Sequence, residues 1–428
     1  MPPVEARVLV VGTTADYIEW IRGRRPGQAL FLTDAAVRRE AKEPPPLPDE
    51  ELLCDLTDER QVLEALVRHL ETWQLTLDGV VCYDCESMAL AARLAGAYGL
   101  SYPGVQSVTN CRDKFRSKTL WQKAGLESAA ARKIGSAADA VRFFRETGGP
   151  CVLKPLSGSG SEFIFRCDSE RDCERYYRGI VQGLARRKDH RLYQPFAGDT
   201  PDIIAEAFVD GEEYSCDFVL EDGRVRLMRI ARKVLFDQDP FGTAKAYILP
   251  GVWPEAIDAV AFEETLYRSA TALGIRRAVC MLDFIVQDGR MVLLELAPRP
   301  GGDCLPALVR RCYALDTLVL MLDFARQKPF AWERPASHPP MVGLRLHAGQ
   351  AGTLASIEDR ALRGDPRVQE VHLLRRPGHR IRRPPEDYDA WLLGHVIFVP
   401  DEDNSIGAQC RELCDKLTIT VTPEAGCR

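Results

Sequence analysis

The sequence predicts a multidomain protein of mixed class, with an α/β unit at the N-terminus and α+β units after it. Three observations carry this. The chain has 428 residues, more than one ordinary domain holds. Up to Gly99, apolar strand-like runs alternate with helical faces, the pattern of βαβ units and a parallel sheet. From about residue 110 the texture changes to alternating strands joined by Asp-Gly turns.

Composition narrows the function. Hydrophobic residues make up 46% and charged residues 28%, which excludes global disorder. The net charge is −6, so nucleic acid is not expected as the main partner. No apolar run reaches the roughly 18–20 residues of a membrane span. The start, Met1-Pro2-Pro3-Val4-Glu5-Ala6-Arg7, has no signal-like apolar region or cleavage site, and a cytoplasmic protein is expected. The 14 cysteines are expected to be reduced and mostly buried. Cys82-Tyr-Asp-Cys85 is the one CxxC. Cys410 and Cys414 are four apart, with no histidine near either pair, so neither a structural metal nor a redox centre is expected.

The elements follow in order. Residues 7–12 and 29–33 read as buried strands flanking a helical Tyr17–Arg22. Val62, Leu63, Leu66, Val67 and Leu70 form one helical face within 58–72. A strand at 79–83 precedes a helix at 86–98 that Gly99 stops. Gly12-Thr13-Thr14-Ala15 is not GxGxxG and no Walker loop occurs, so neither phosphate fingerprint is present. Further on, Arg116–Ala124 reads as a helix. Cys151–Lys154 and Glu162–Phe165 read as strands around a Gly/Ser loop. Helical, basic sequence fills 169–191, and strands occupy 203–232 with a turn at Asp222-Gly223. A helix at 259–273 stops at Gly274, a hairpin spans 278–297, and one helix runs over 305–325. Residues 328–340 hold four prolines and read as a linker. The remainder reads as a small α+β unit with strands at 341–347, 368–374 and 395–399.

Chemistry concentrates in the hairpin. Asp283 and Glu295 each lie inside an apolar strand, which is costly unless something compensates the charge. A two-residue turn at Asp288-Gly289 places Asp283 opposite Leu294. A three-residue loop, Asp288-Gly289-Arg290, places it opposite Glu295. Two adjacent carboxylates call for a cation, and a hard divalent ion such as Mg²⁺ answers the need. Beyond them Ala297-Pro-Arg299-Pro-Gly301-Gly302-Asp303 sets an arginine and two glycines before a helix, a pattern suited to an anion. Lys154 precedes the loop Ser157-Gly158-Ser159-Gly160-Ser161, which has donors for phosphate. Glu206-Ala207-Phe208-Val209, then Gly211-x-Glu213, reads either as strand–turn–strand or as a purine hinge.

In this order, Asp113-Lys114, Lys154 with its Gly/Ser loop, the segment Glu206–Val209, Gly211-x-Glu213, and Asp283 with Glu295-x-x-x-Arg299 resemble the ATP-grasp superfamily of carboxylate–amine or carboxylate–thiol ligases. Gly349-Gln-Ala-Gly352-Thr-Leu-Ala-Ser-Ile with Pro366-Arg-Val368 resembles the extra domain of the L-amino-acid-ligase and biotin-carboxylase-like branches. The resemblance implies three parts: a Rossmann-like pre-ATP-grasp domain at 1–108, a two-lobed core at 109–330 with its lid at about 130–205, and a C-terminal α+β domain at 331–428. It implies ATP and Mg²⁺, with Mn²⁺ as a substitute. Lys114, Lys154, Ser157, Gly158, Ser159 and Ser161 would meet the phosphates. Glu206, Ala207 and Val209 would read adenine, and Glu213 would bind ribose. Asp283 and Glu295 would hold metal. Arg299 would act in catalysis beside the Gly301-Gly302 backbone. Lys233 and Lys245 would attract a substrate carboxylate. The expected partners are a small carboxylate, an amino acid, and an amine; a homodimer and a carrier-protein acceptor stay open. Ala297 departs from the Asn that many members carry. Pro300-Gly301-Gly302-Asp303 replaces the His-Asn-Ser of the purine-pathway carboxylating ligase. Tyr214-Ser215 lacks the biotin-carboxylase histidine. These departures favour the amino-acid-ligase branch.

Overall fold

The computed structural model describes residues 5–187, 190–193, 203–236, 240–251, 257–335 and 338–423. Part of the expected lid, part of the proline-rich linker, the first four residues and Cys427 lie outside these ranges.

The N-terminal unit is a parallel sheet of β1 (Glu5–Val11), β2 (Ala29–Asp34), β3 (Glu51–Cys54) and β4 (Leu75–Val81), in the order β3-β2-β1-β4. Leu9 and Val11 face one apolar cluster while Val8 and Val10 face another. This alternation is what a strand buried on both faces requires.

The region expected to be the lid holds a four-stranded sheet of β5 (Ala131–Ile134), β6 (Cys151–Pro155), β7 (Phe165–Cys167) and β8 (Ile203–Ala207), ordered β5-β8-β6-β7. The helices Ala137–Thr147 and Glu170–Arg186 pack on it. Each is capped by a serine side chain that accepts from the N–H three residues on: Ser136 from Asp139 and Ser169 from Asp172. The strand expected at Glu162–Phe165 begins only at Phe165. Ser161 and Phe163 take positive φ, and the Glu162 carboxylate turns away to Tyr193 Oη, 2.5 Å, and Arg187, 3.3 Å.

The central sheet begins with β9 (Glu212–Glu221), β10 (Arg224–Leu235), β11 (Ala244–Leu249), β12 (Ala278–Gln287) and β13 (Arg290–Ala297). The C-terminal segment supplies β14 (Met341–His347), β15 (Gly352–Glu358), β16 (Val368–Leu373), β17 (Arg380–Ile381), β18 (Leu392–Phe398) and β19 (Thr418–Thr422). The C-terminal part is not a separate sheet. Three of its strands extend the central one in the order β13-β12-β9-β10-β11-β14-β18-β16, and only β17-β15-β19 stand apart. The edge that allows this is β11, which pairs β14 through Ala246↔Leu344 to Leu249↔Met341. The helix expected over 305–325 is two, Leu305–Tyr313 and Thr317–Ala325. Ala314 adopts the left-handed conformation, and the Asp316 side chain caps the second by accepting from Val319 N–H.

Alternation along β9 builds the site. Tyr214, Cys216, Phe218 and Leu220 enter an apolar core with Phe262 and Leu266 of the helix Ala259–Ala272. Glu213, Ser215 and Asp217 therefore occupy the other face.

Candidate active site

That face carries the acids of the hairpin. Asp288 and Gly289, at φ 50° and 73°, make a two-residue turn with Gln287 opposite Arg290. From the turn alone Asp283 would face Leu294. A bulge between Asp283 and Phe284 shifts the register, and Asp283 pairs with Glu295. The two acids are thus opposed, but by a bulge and not by the three-residue loop. Leu294, the extra residue, gives its carbonyl to Lys118 Nζ at 2.9 Å.

Four lysines surround the acids. Lys233 Nζ lies 2.5 Å from Glu213 and 2.7 Å from Asp283. Lys114 Nζ lies 3.3 Å from Glu295 and 3.4 Å from the Gly158 carbonyl. Glu206 is buried between Lys118, 3.2 Å, and Lys154, 2.9 Å. Burial works to raise the Glu206 carboxyl, but Lys118 and Lys154 outweigh it and hold it below the ordinary carboxylate value. Burial lowers Lys118 to about 8 despite Glu206. Glu295 is likewise held down against burial by Lys114, Arg112 and Lys154. Lys233 is driven up, because Asp283 and Glu213 outweigh its burial.

Local sequence explains the placement. Asp113 caps the helix Lys114–Lys123 by accepting from Arg116 N–H, which fixes Lys114 at its first turn and Lys118 one turn later on the same side. Lys154 lies one residue before the end of β6, beside the loop. The loop is tied at both ends: the Gly158 carbonyl also accepts from Arg112 at 3.3 Å, Ser157 Oγ donates to Leu192 O at 3.3 Å, and Ser161 Oγ donates to Gly242 O at 2.7 Å. Ser159 is half-buried in the same turn. In the segment expected to be the hinge, Ala207 N–H donates to Ala130 O and Phe208 N–H to Pro150 O. Val209 is half-buried just beyond.

Arg299 is buried and reaches the N-terminal unit. Its Nε and Nη2 donate to Cys85 Sγ at 3.2 and 3.0 Å, and Nη1 donates to Pro300 O at 2.7 Å. Gly301 N–H is occupied by Asp217, at 3.0 and 3.2 Å from its two oxygens. Asp217 in turn pairs with fully buried Arg229, at 2.8 Å from Nε and 2.9 Å from Nη2. Gly302 follows, half-buried, before Asp303, which is ion-paired with Arg345. Lys245 stands away from the acids. Its ammonium lies 5.9 Å from the Phe236 ring, which packs against His347 and Trp391.

Several of these groups escaped the sequence reading. Lys118, Arg112, Arg345 and Arg229 carry no local motif, and Cys85 stands out only as half of the CxxC. Asp217 did carry a signal, an acid in an apolar strand, the same that exposed Asp283. Asp283 and Glu295 fit a hard divalent cation: they are opposed, and Asp283 Oδ1 is buried with no hydrogen-bond partner among the described residues.

With this geometry in view, comparison with known proteins defines the class. Residues 147–307 match the family described as ATP-grasp domain, and residues 345–422 match L-amino acid ligase C-terminal domain 2. The chain carries an ATP-grasp domain followed by an L-amino-acid-ligase C-terminal domain. Over its whole length the fold is similar to that of an L-amino acid ligase from Bacillus licheniformis, with TM-score 0.76, 20% identity, and 97% of this chain and 99% of that one covered. It is also similar to a carboxyaminoimidazole ribonucleotide synthase from Aspergillus clavatus complexed with ATP, with TM-score 0.69, 17% identity, and coverage of 96% and 98%. A D-alanine–D-alanine ligase of Acidovorax ebreus (strain TPSY) is 26% identical over 215 residues, 47% of this chain and 59% of that protein. The chain thus spans less than two thirds of that relative. No helix among the described residues is long and apolar enough to cross a membrane.

Proposed function

We propose that this chain is an ATP-dependent ligase that joins an amino acid, or a similar small carboxylate, to an amine through an acyl phosphate and releases ADP and phosphate. The observation that carries this reading is the opposed pair Asp283 and Glu295, with Lys233 paired to Asp283, Lys114 to Glu295 and Lys154 to Glu206, set in a fold shared along its length with an L-amino acid ligase.

A carboxylate is a poor electrophile because it is anionic. Its attack on the γ-phosphorus of ATP makes an acyl phosphate, and attack by the amine then expels phosphate. Lys114 and Lys154 sit where the Gly/Ser loop meets the acids, and each is set to exchange its carboxylate for a phosphate oxygen. Asp283 and Glu295 would hold Mg²⁺, which supplies charge neutralisation to the triphosphate. Glu206, Ala207 and Val209 would line the adenine, and Glu213 the ribose. Lys233, already shared by two acids, is better suited to balancing their charge than to capturing a substrate carboxylate. Arg299 would orient the acyl phosphate, with the loop Ser157–Ser161 closing over it to exclude water.

The test is phosphate release from MgATP against pools of amino acids, singly and in pairs, with mass spectrometry of each mixture. Release that depends on a pair, with a product of condensed mass, supports the reading. ATP binding without release in any pool, or release only with a carrier protein added, overturns it.

A further inference from the structure

Three cysteines meet in the lid, away from the acids. Cys151 on β6 lies directly opposite Cys167 on β7, and Cys173 comes from the first turn of the helix Glu170–Arg186 that packs over both strands. All three are fully buried. Their sulfurs lie within 4.8 Å of one another, with Cys151 and Cys173 3.8 Å apart. The sequence gives no warning, because spacings of sixteen and six residues match no metal motif and strand pairing alone brings the thiols together.

We propose that Cys151, Cys167 and Cys173 form a three-sulfur site for a soft, thiophilic ion of the copper(I) class. The geometry supplies the first argument. The centre of a triangle with sides of 3.8 to 4.8 Å lies about 2.2–2.8 Å from each corner, a span that includes the ~2.3 Å of a metal–thiolate bond. The ion fits with little movement of the backbone. The second argument is the missing fourth ligand. Among the described residues no histidine, carboxylate or further cysteine joins the group, and the surrounding cluster is apolar, with Ala140, Phe143, Leu153 and Ile180. A tetrahedral Zn²⁺ site is therefore incomplete here, whereas soft Cu⁺ accepts an all-sulfur site of low coordination. The ion binds thiolate sulfur, so loading the site releases the thiol protons to solvent. The site would staple β6, which carries Lys154, to β7 and the helix. This inference does not depend on the ligase reading.

The test is an anaerobic titration of the reduced full-length chain with Cu⁺ against a chromogenic chelator, with Zn²⁺ run in parallel. The expected result is one tight equivalent per chain, weakened at least a hundredfold in Cys167→Ser and in Cys173→Ser and kept in Cys410→Ser. X-ray absorption of the loaded wild-type chain should show three sulfurs, and Cu⁺ should raise the thermal midpoint of the wild type but not of folded Cys173→Ser. Equal binding by wild type and both variants overturns the proposal. So does a two-sulfur spectrum, or tighter binding of Zn²⁺ than of Cu⁺. If either variant fails to fold by circular dichroism, the wild-type spectrum decides.

Discussion

Asp217→Asn isolates the buried pair beneath the site. The guanidinium of Arg229 is wholly buried and the Asp217 side chain nearly so, at 0% and 2% exposure. The substitution removes the countercharge and turns an amide N–H toward a donor. Breaking a buried pair from one side costs about 3–5 kcal/mol, because the remaining charge is left uncompensated. The Ser215 carbonyl and Ser215 Oγ, at 3.0 and 3.2 Å from Arg229, recover only a little of this. The double variant Asp217→Leu/Arg229→Met removes both charges. What it loses is the partners of the Gly301 N–H, the Ser215 carbonyl and Ser215 Oγ, about 2–3 kcal/mol for three hydrogen bonds at about 1 kcal/mol each. The assay is urea unfolding followed by tryptophan fluorescence, since Trp121 is buried in the apolar core on the opposite face of this sheet. The double variant should be more stable than Asp217→Asn by roughly 1–2 kcal/mol, a coupling expected of groups in contact or in one hydrogen-bond network. If Asp217→Asn costs less than about 1 kcal/mol, or if the double variant loses the sum of the two singles, the reasoning fails.

Three further outcomes follow from the same geometry. Glu295→Gln should abolish ATP-dependent product formation while leaving circular dichroism unchanged; near-normal turnover would remove the acid from the proposed metal site. Cys85→Ala should lower kcat by about tenfold through loss of the Arg299 contact while leaving KM for ATP near wild type, and Cys85→Ser, which keeps an acceptor, should restore part of it; a pure ATP defect contradicts the role of Arg299. Burial, aided by His372 and opposed by Asp303, Glu370 and Asp16, lowers His395 to about 4. Its folded value lies below the unfolded ~6.5, so its contribution is full above pH 6.5 and lost progressively as pH falls toward 4, about 1.4 kcal/mol at pH 5.5. Between pH 7.5 and 5.5 the wild type should therefore lose about that much more stability in urea than His395→Phe; an equal loss refutes the assignment.

The sequence reading succeeded where a signal is local. Alternation marked the hairpin, and acids within apolar strands drew attention to Asp283 and Glu295, which the fold sets opposite each other. It failed wherever a distant contact decides. The turn alone predicts Asp283 opposite Leu294; the bulge that corrects it hands the Leu294 carbonyl to Lys118, 176 positions away in the chain. Arg299 meets a cysteine 214 positions away. The proline-rich stretch after Lys328 reads as a boundary, yet β14 beyond it continues the sheet, because an unfilled strand edge leaves no mark on composition. The helix at 305–325 breaks at Ala314, a residue with high helix propensity, where only the Asp316 cap hints at a restart.

The charges on the site face close into a balanced set, and this bears on how the site works. Lys114, Lys118, Lys154 and Lys233 stand against Glu206, Glu213, Asp283 and Glu295. None of the four lysines depends on a ligand for its countercharge, so the site face folds without large self-repulsion. Each ammonium that is to meet a phosphate must leave a carboxylate, and that carboxylate then needs another cation. Lys154 can turn outward because Lys118 still holds Glu206. Lys114 can do so only if something replaces it beside Glu295, and Asp283 Oδ1, buried and without a hydrogen-bond partner among the described residues, lies on the residue opposite. Asp283 and Glu295 would hold a divalent cation whose charge replaces that of Lys114, and nucleotide affinity should then rise with the cation only while Glu295 keeps its carboxylate.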